Sequence, residues 1–151
     1  MTVTSLRAQE NVEDSRWETA VRCIKKYEGW HGLEHHPYVA YGHRIRKGEK
    51  FPARLTESEG DSILRKDLKE MCILFRHLGK DSLLIACLAY QVGPYRLLGY
   101  GRIPKSTLIR KLEAGNRDIY VDFIRYCYYK GKKIPSIERR REEEYRLLFM
   151  P

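Results

Sequence analysis

The chain has 151 residues, 42% of them hydrophobic, enough for one sizeable core and one domain. Lys and Arg number 29 against 20 Asp and Glu, and the resulting charge of +9 suits an anionic partner such as a bacterial wall, a membrane surface or nucleic acid. The sequence has no apolar run of the roughly 18 residues a membrane-spanning helix needs, and it lacks internal repeats, a Gly-rich phosphate loop and a basic recognition helix.

Residues 1–14 are polar, lack the apolar stretch of a signal peptide, and read as a flexible arm. A first helix is predicted from a cap at Asp14 or Ser15 to Glu28, because Trp17, Ala20, Val21 and Ile24 recur at spacings of three and four. Glu28 follows on the same face, and Gly29 stops the helix. Partial burial and the negative helix end both disfavour an ionised carboxylate there, which is the condition a general acid needs. Pro37-Tyr38-Val39-Ala40-Tyr41-Gly42-His43 then reads as a short strand and Arg46-Lys47-Gly48-Glu49 as a hairpin turn, together a small β-ribbon. Between helix and ribbon, His31, His35 and His36 lack the spacing of metal ligands, so no metal or cofactor is expected. Glu34 is the one further carboxylate of that loop.

Thr56-Glu57-Ser58-Glu59 forms a capping box, and Ile63, Leu64, Leu68, Met71, Cys72, Phe75 and Leu78 mark a long amphipathic helix behind it. After a break at Gly79-Lys80-Asp81-Ser82, residues 83–92 are apolar almost all round, as in a buried central helix. Gln91 is its polar exception, and a buried amide must find a partner either in the core or in a ligand. Residues 95–103 read as a loop rich in Tyr and Gly, and 106–114 as a helix closed by Gly115. A further helix capped by Asp118 turns Tyr120, Phe123, Ile124, Cys127 and Tyr128 inward. Pro135-Ser136 opens the last helix, where Arg139-Arg140-Arg141-Glu142-Glu143-Glu144 places opposite charges at neighbour spacing, the pattern of a solvated face. Cys23, Cys72, Cys87 and Cys127 are far apart and lack zinc spacing, which leaves buried thiols or two disulfides.

Six of these stretches occur together in the order seen in phage-type lysozymes: Tyr27-Glu28-Gly29, Tyr41-Gly42-His43, Leu55-Thr56-Glu57 with Asp67-Leu68, Ala89-Tyr90-Gln91-Val92-Gly93, Ser106-Thr107-Leu108, and Arg139-Arg140-Arg141 to Glu144. From residue 17 to 149 the chain resembles the T4-type endolysins of glycoside hydrolase family 24. The resemblance implies an α+β, mostly α-helical, two-lobed lysozyme-like fold over 15–151. Its N-terminal lobe, with the β-ribbon, would span about 15–56, its linking helix about 57–78 and its helical C-terminal lobe about 79–151. It further implies a peptidoglycan hydrolase, a monomer working in the periplasm or cell wall without specific nucleic-acid binding. Such an enzyme cuts the β-1,4 bond between N-acetylmuramic acid and N-acetylglucosamine with Glu28 as general acid.

The resemblance also assigns the surroundings. Tyr41 and Gln91 would meet substrate, His43 would pair with Asp67 in a structural role, and Arg139 or Arg140 would lie near the catalytic Glu and oppose the effect of burial on its proton. One part of the family pattern is missing. T4-type enzymes carry a longer segment after the Glu, with an Asp in it and a Thr opening the next strand. Here Tyr38 stands at the Thr position, and no Asp lies between Glu28 and Tyr41. Glu34 and Tyr38 are therefore the candidates for the second catalytic group, with lytic transglycosylase-like chemistry or an inactive wall-binding protein as alternatives.

Overall fold

The computed structural model describes residues 2–151, which form two compact units, one ending at Lys69 and the other running Glu70–Pro151. The first unit opens on helix α1, Val3–Glu28. It starts well before Asp14: Thr2 Oγ1 accepts the Ser5 N–H at 3.3 Å, and no Gly or Pro interrupts the sequence before Gly29. Residues 3–14, expected as a flexible arm, are thus helical, though every side chain among them is exposed. Packing begins only further on, where Ala20, Val21, Cys23 and Ile24 are buried.

A 3-10 turn, Leu33–His35, leads to strands β1, Tyr38–Val39, and β2, His43–Arg44, paired antiparallel with Val39 opposite His43. The turn of this ribbon is 40–42, where Ala40 and Gly42 take φ of 52° and 89°. Arg46–Glu49, predicted as the hairpin turn, makes a separate turn closed by its own backbone, Glu49 N–H to Arg46 O at 3.0 Å. Helix α2, Glu57–Leu74, follows with the capping box in place: Glu59 N–H donates to Thr56 Oγ1 at 3.1 Å, and Thr56 N–H to Glu59 Oε1 at 3.4 Å. Ion pairs tie its start to α1, through Lys25 to Asp61 at 2.6 Å and Arg65 to Glu18 at 2.6 Å.

Gly60 shows why a helix interior can require glycine. A Cβ there would lie 2.5 Å from the Trp30 ring and 3.1 Å from the Ala40 side chain. Alanine would ordinarily favour the helix by roughly 0.5–1 kcal/mol, yet the clash has the Ala40 methyl, which has no rotamer to change, on one side and a rigid indole on the other. Gly60→Ala is expected to destabilise the protein by about 1–3 kcal/mol, read by urea unfolding, and to shift the tryptophan emission. A stabilising Gly60→Ala would show that Trp30 yields freely.

In the second unit, Arg76–Asp81 is a 3-10 segment broken at Gly79, whose φ is 60°. It leads into α3, Ser82–Val92, with every residue from Leu83 to Ala89 buried. This is the central helix read from the sequence, and it packs on α4, Tyr95–Leu98, and on α7, Pro135–Leu148. Between them lie α5, Thr107–Glu113, capped by Ser106, and α6, Tyr120–Ile124, which has no side-chain cap from Asp118. The expected inward positions of Tyr120 and Tyr128 are not observed, and both side chains are exposed. Tyr128–Tyr129 is strand β3, paired with β4, Lys132–Lys133, around Lys130-Gly131, and both tyrosines are exposed. Successive positive φ values at Lys130 and Gly131, 49° and 76°, are those of a tight two-residue hairpin.

All four cysteines are free thiols, with Cys23, Cys87 and Cys127 buried. Burial pushes the Cys72 thiol up to about 11, so little thiolate exists near neutral pH.

Candidate active site

Glu28 is the last residue of α1, and the chain leaves the helix at Gly29, whose φ is 68°. Its carboxylate is half-buried and faces the ribbon turn: a Cβ on Gly42 would sit 3.0 Å from Glu28 Oε2. Gly42 is thus required twice, by its φ of 89° and by the approach of the acid. The Tyr27-Glu28-Gly29 and Tyr41-Gly42-His43 stretches, separate in sequence, meet at this contact. One turn back, Lys25 bonds Glu57 and Asp61 of α2, which fixes the end of α1 against the capping box.

His43 anchors the other side of the ribbon. Its Nδ1–H donates to Asp67 Oδ2 at 2.6 Å, as predicted, and its Nε2–H to Glu49 Oε1 at 2.9 Å, a partner the sequence did not reveal. Glu49 also accepts the Arg46 N–H at 2.6 Å, so the second turn closes onto the buried ring. Burial opposes a charged imidazole, but the bonds to Glu49 and Asp67 outweigh it and raise the pKa of His43.

A proton held more tightly in the folded state stabilises that state. This contribution is complete below the unfolded value near 6.5 and is lost as pH rises through the raised folded value. On the acid side, the bond from His43 depresses the pKa of Glu49, so that contribution disappears as pH falls through the lowered carboxylate value. Thermal unfolding followed from about pH 5 to 9 is expected to show falling stability on the alkaline side, with a flatter slope in His43→Asn. Equal slopes would show that His43 is not the linked group.

The other candidates of this unit lie around a groove of about 550 Å3 between the ribbon and residues 51–55. Glu34 and Tyr38 both line it, whereas Glu28 does not. The Glu34 side chain is 72% exposed and pairs with His35 Nδ1 at 3.2 Å. Tyr38 is exposed on β1. Tyr41 is outside the groove, its hydroxyl donating to Glu57 Oε1 at 3.0 Å and its ring meeting Trp30 edge to face at 5.2 Å.

In the second unit, Gln91 lines a hollow of about 490 Å3 with Arg96, Tyr126 and Tyr128. Its amide oxygen accepts a bond from Arg141, so the polar exception of α3 is satisfied from α7. The charge run on α7 is not a solvated face throughout. Arg139 is exposed, but Arg140, Arg141 and Glu144 are buried, with Glu144 2.8 Å from Arg141 Nε and 3.3 Å from Arg140 Nε. Sequence reasoning passed over Arg141 and Glu144. The available signal was their spacing of three, which puts both on the stripe shared with the buried Leu148.

A family model described as phage lysozyme matches residues 24–144, a span that begins just before Glu28 and ends at Glu144. The chain belongs to the phage lysozyme family. Phage lysozymes are glycosidases of cell-wall peptidoglycan, and that substrate class extends to this chain. Among solved structures, it is similar to the muramidase domain of SpmX from Asticaccaulis excentricus, with a TM-score of 0.62 at 19% identity over 88% of this chain and 96% of that one. The likeness shows a lysozyme-like fold, mostly helical with small antiparallel sheets. No curated protein matches the sequence. As a phage lysozyme the chain has no helix, among its described residues, long and apolar enough to cross a membrane. Nor do its described residues gather three His, Cys, Asp or Glu side chains in a group able to hold a metal ion.

Proposed function

We propose that this phage lysozyme family member is a muramidase that cuts the β-1,4 bond between N-acetylmuramic acid and N-acetylglucosamine, with Glu28 as general acid. The observation that carries this reading is the Glu28 carboxylate at the end of α1, closed against Gly42 of the ribbon turn. A half-buried acid at a fixed place on a rigid element is the arrangement proton donation to a leaving glycosidic oxygen needs. As the C–O bond breaks, the proton stays with the departing sugar and positive charge develops on the ring.

Glu34 is the candidate to answer that charge or to direct water. Its high exposure and its pairing with His35 favour keeping a second reading, in which no carboxylate takes that part and the muramyl residue's own hydroxyl captures the cation, as in a lytic transglycosylase. Tyr38, at the position where T4-type enzymes have Thr, and Tyr41 would complete the sugar contacts of the first unit, and Gln91 those of the second. Arg139 and Arg140 are proposed as positioning residues of the helix that the family pattern carries to Glu144.

Digestion of purified peptidoglycan, with products identified by mass, tests the proposal. New reducing ends establish hydrolysis, and anhydro-muramyl ends establish the transglycosylase reading. A protein that pellets with the wall but releases nothing is a binding protein and overturns both.

A further inference from the structure

Tyr95, Tyr100 and Ile103 line neither of the two hollows described above, yet they are 52%, 72% and 49% exposed and lie together on the second unit. We propose that this patch, with the basic residues around it, is a docking surface for an anionic phospholipid bilayer. The inference draws on no residue of the Glu28 contact and stands apart from the muramidase reading.

The patch is built by a short projection between α4 and α5. Tyr100 and Ile103 face one another across a two-residue turn, the Tyr100 N–H donating to Ile103 O at 3.0 Å and the Ile103 N–H to Tyr100 O at 2.9 Å. Antiparallel partners of this kind carry their side chains on one side of the turn. Tyr95, at the start of α4, joins them with its ring 5.4 Å from that of Tyr100. Gly101 opens the turn with φ of 57°, and every residue from Tyr100 to Lys105 is exposed. The base is fixed. Leu97 is fully buried and its carbonyl accepts the Ser106 N–H at 2.9 Å, while a Cβ on Gly99 would sit 2.9 Å from Ile103 O and 2.8 Å from Lys105 N. Little backbone freedom remains to be lost when the tip meets a partner.

The charge around the patch has one sign. Residues 70–151 hold 16 Lys and Arg against nine Asp and Glu, so the second unit carries seven of the nine net positive charges of the chain. No acid occurs between Asp81 and Glu113, a stretch that includes Arg96, Arg102, Lys105, Arg110 and Lys111. Glu113 pairs with Lys105 at 2.7 Å and Asp122 with Lys111 at 2.6 Å. Arg96, Arg102 and Arg110 have no carboxylate partner among the described residues: Arg96 lies over the Tyr126 ring, and Arg110 donates to Lys105 O at the foot of the projection.

This combination selects the partner. Exposed apolar surface rimmed by polar residues marks protein or membrane contact sites. Tyrosine suits the boundary of a bilayer, with its ring among the acyl chains and its hydroxyl in the headgroup layer. Ile103 adds a purely aliphatic contact, and an arginine beside it can lay its stem on the apolar layer while its head stays with lipid phosphate. Anionic headgroups complement the unpaired arginines, each worth on the order of fivefold in affinity near such a surface. A nucleic acid would answer the charge but offer a polar, charged face to Ile103.

The test is co-sedimentation of the full chain with vesicles of equal parts phosphatidylglycerol and phosphatidylcholine, beside vesicles of phosphatidylcholine alone. Binding is expected to the first and to be at least about tenfold weaker to the second. Replacing both Tyr100→Ser and Ile103→Ser should weaken binding by about tenfold or more, and Arg102→Glu by about fivefold or more. All three side chains are exposed, so the melting temperature should not move, and wall digestion should match that of the native protein.

The proposal is overturned by an absence of binding to the anionic vesicles, by equal binding to both kinds, or by affinity unchanged in the Tyr100→Ser, Ile103→Ser protein. Arg76→Glu, a charge reversal outside the patch, serves as the control: a loss there equal to that in Arg102→Glu would reduce the effect to diffuse charge and overturn the assignment to this surface. Two further readouts cover other occupants. Tight binding of a DNA duplex that is lost in Arg102→Glu, without vesicle binding, would make the partner a nucleic acid. A dimer in sedimentation that Tyr100→Ser and Ile103→Ser dissolve, again without vesicle binding, would mean that a second copy covers the patch. Vesicles contain no glycan, so failure here leaves the muramidase reading intact, and failure to digest wall leaves this inference intact.

Discussion

Glu28→Gln is expected to remove wall digestion while leaving the fold unchanged. The amide matches the carboxylate in size, so it can occupy the same space against Gly42, whereas alanine would open a void there. What it cannot do is deliver a proton to the leaving oxygen. General acid catalysis contributes typically about 10²–10⁴-fold, so product release should fall by at least about a hundredfold. Circular dichroism and melting temperature should stay close to those of the native protein, and wall binding should persist, because glycan contacts do not depend on the charge of one acid. Retained activity in Glu28→Gln would move the chemistry to another residue, and Glu34→Gln would then be the next variant to assay. A parallel loss in Glu34→Gln and Glu28→Gln would point to two carboxylates, while an active Glu34→Gln would favour chemistry that needs only one.

The elements legible from sequence are those set by local rules. The end of α1 at Glu28, the capping box at Thr56 and Glu59, the buried run of α3 and the Pro at the start of α7 each follow from a few neighbouring residues. The His43–Asp67 pair was legible for a different reason, since it came from the family pattern and not from spacing. What was missed depends on contacts between distant segments. Glu49 reaches His43 only because the second turn folds back, and nothing at Arg46-Lys47-Gly48-Glu49 distinguishes that turn from a hairpin. The early start of α1 escaped notice because residues 3–14 bury nothing, and a helix without an apolar face leaves no periodicity to read. The β3–β4 hairpin was hidden by aromatic residues that also fit a helical stripe, although Lys130-Gly131 carried the turn signal.

The charge run of α7 is where composition misled most, and it bears the largest expected effect on stability. Arg139-Arg140-Arg141-Glu142-Glu143-Glu144 has the composition of a surface, yet Glu144 is fully buried between two buried guanidinium groups. Glu144→Gln keeps the shape and removes the charge, leaving Arg140 and Arg141 in low dielectric without their shared anion. Breaking a buried ion pair from one side costs about 3–5 kcal/mol, because the remaining charge keeps its desolvation penalty and loses its compensation. For a chain of this length such a loss corresponds to a fall in melting temperature on the order of 10 °C. Arg139→Gln, one residue away but exposed, should change stability by no more than about 0.5 kcal/mol. Parallel urea and thermal unfolding of the two variants separates the cases. Equal, small effects would mean that water reaches the α7 cluster and that its charges are solvated after all. A large loss confined to Glu144→Gln would show that Glu144 offsets the buried charge of its two arginine partners, Arg141 of which also holds Gln91 of the central helix in place.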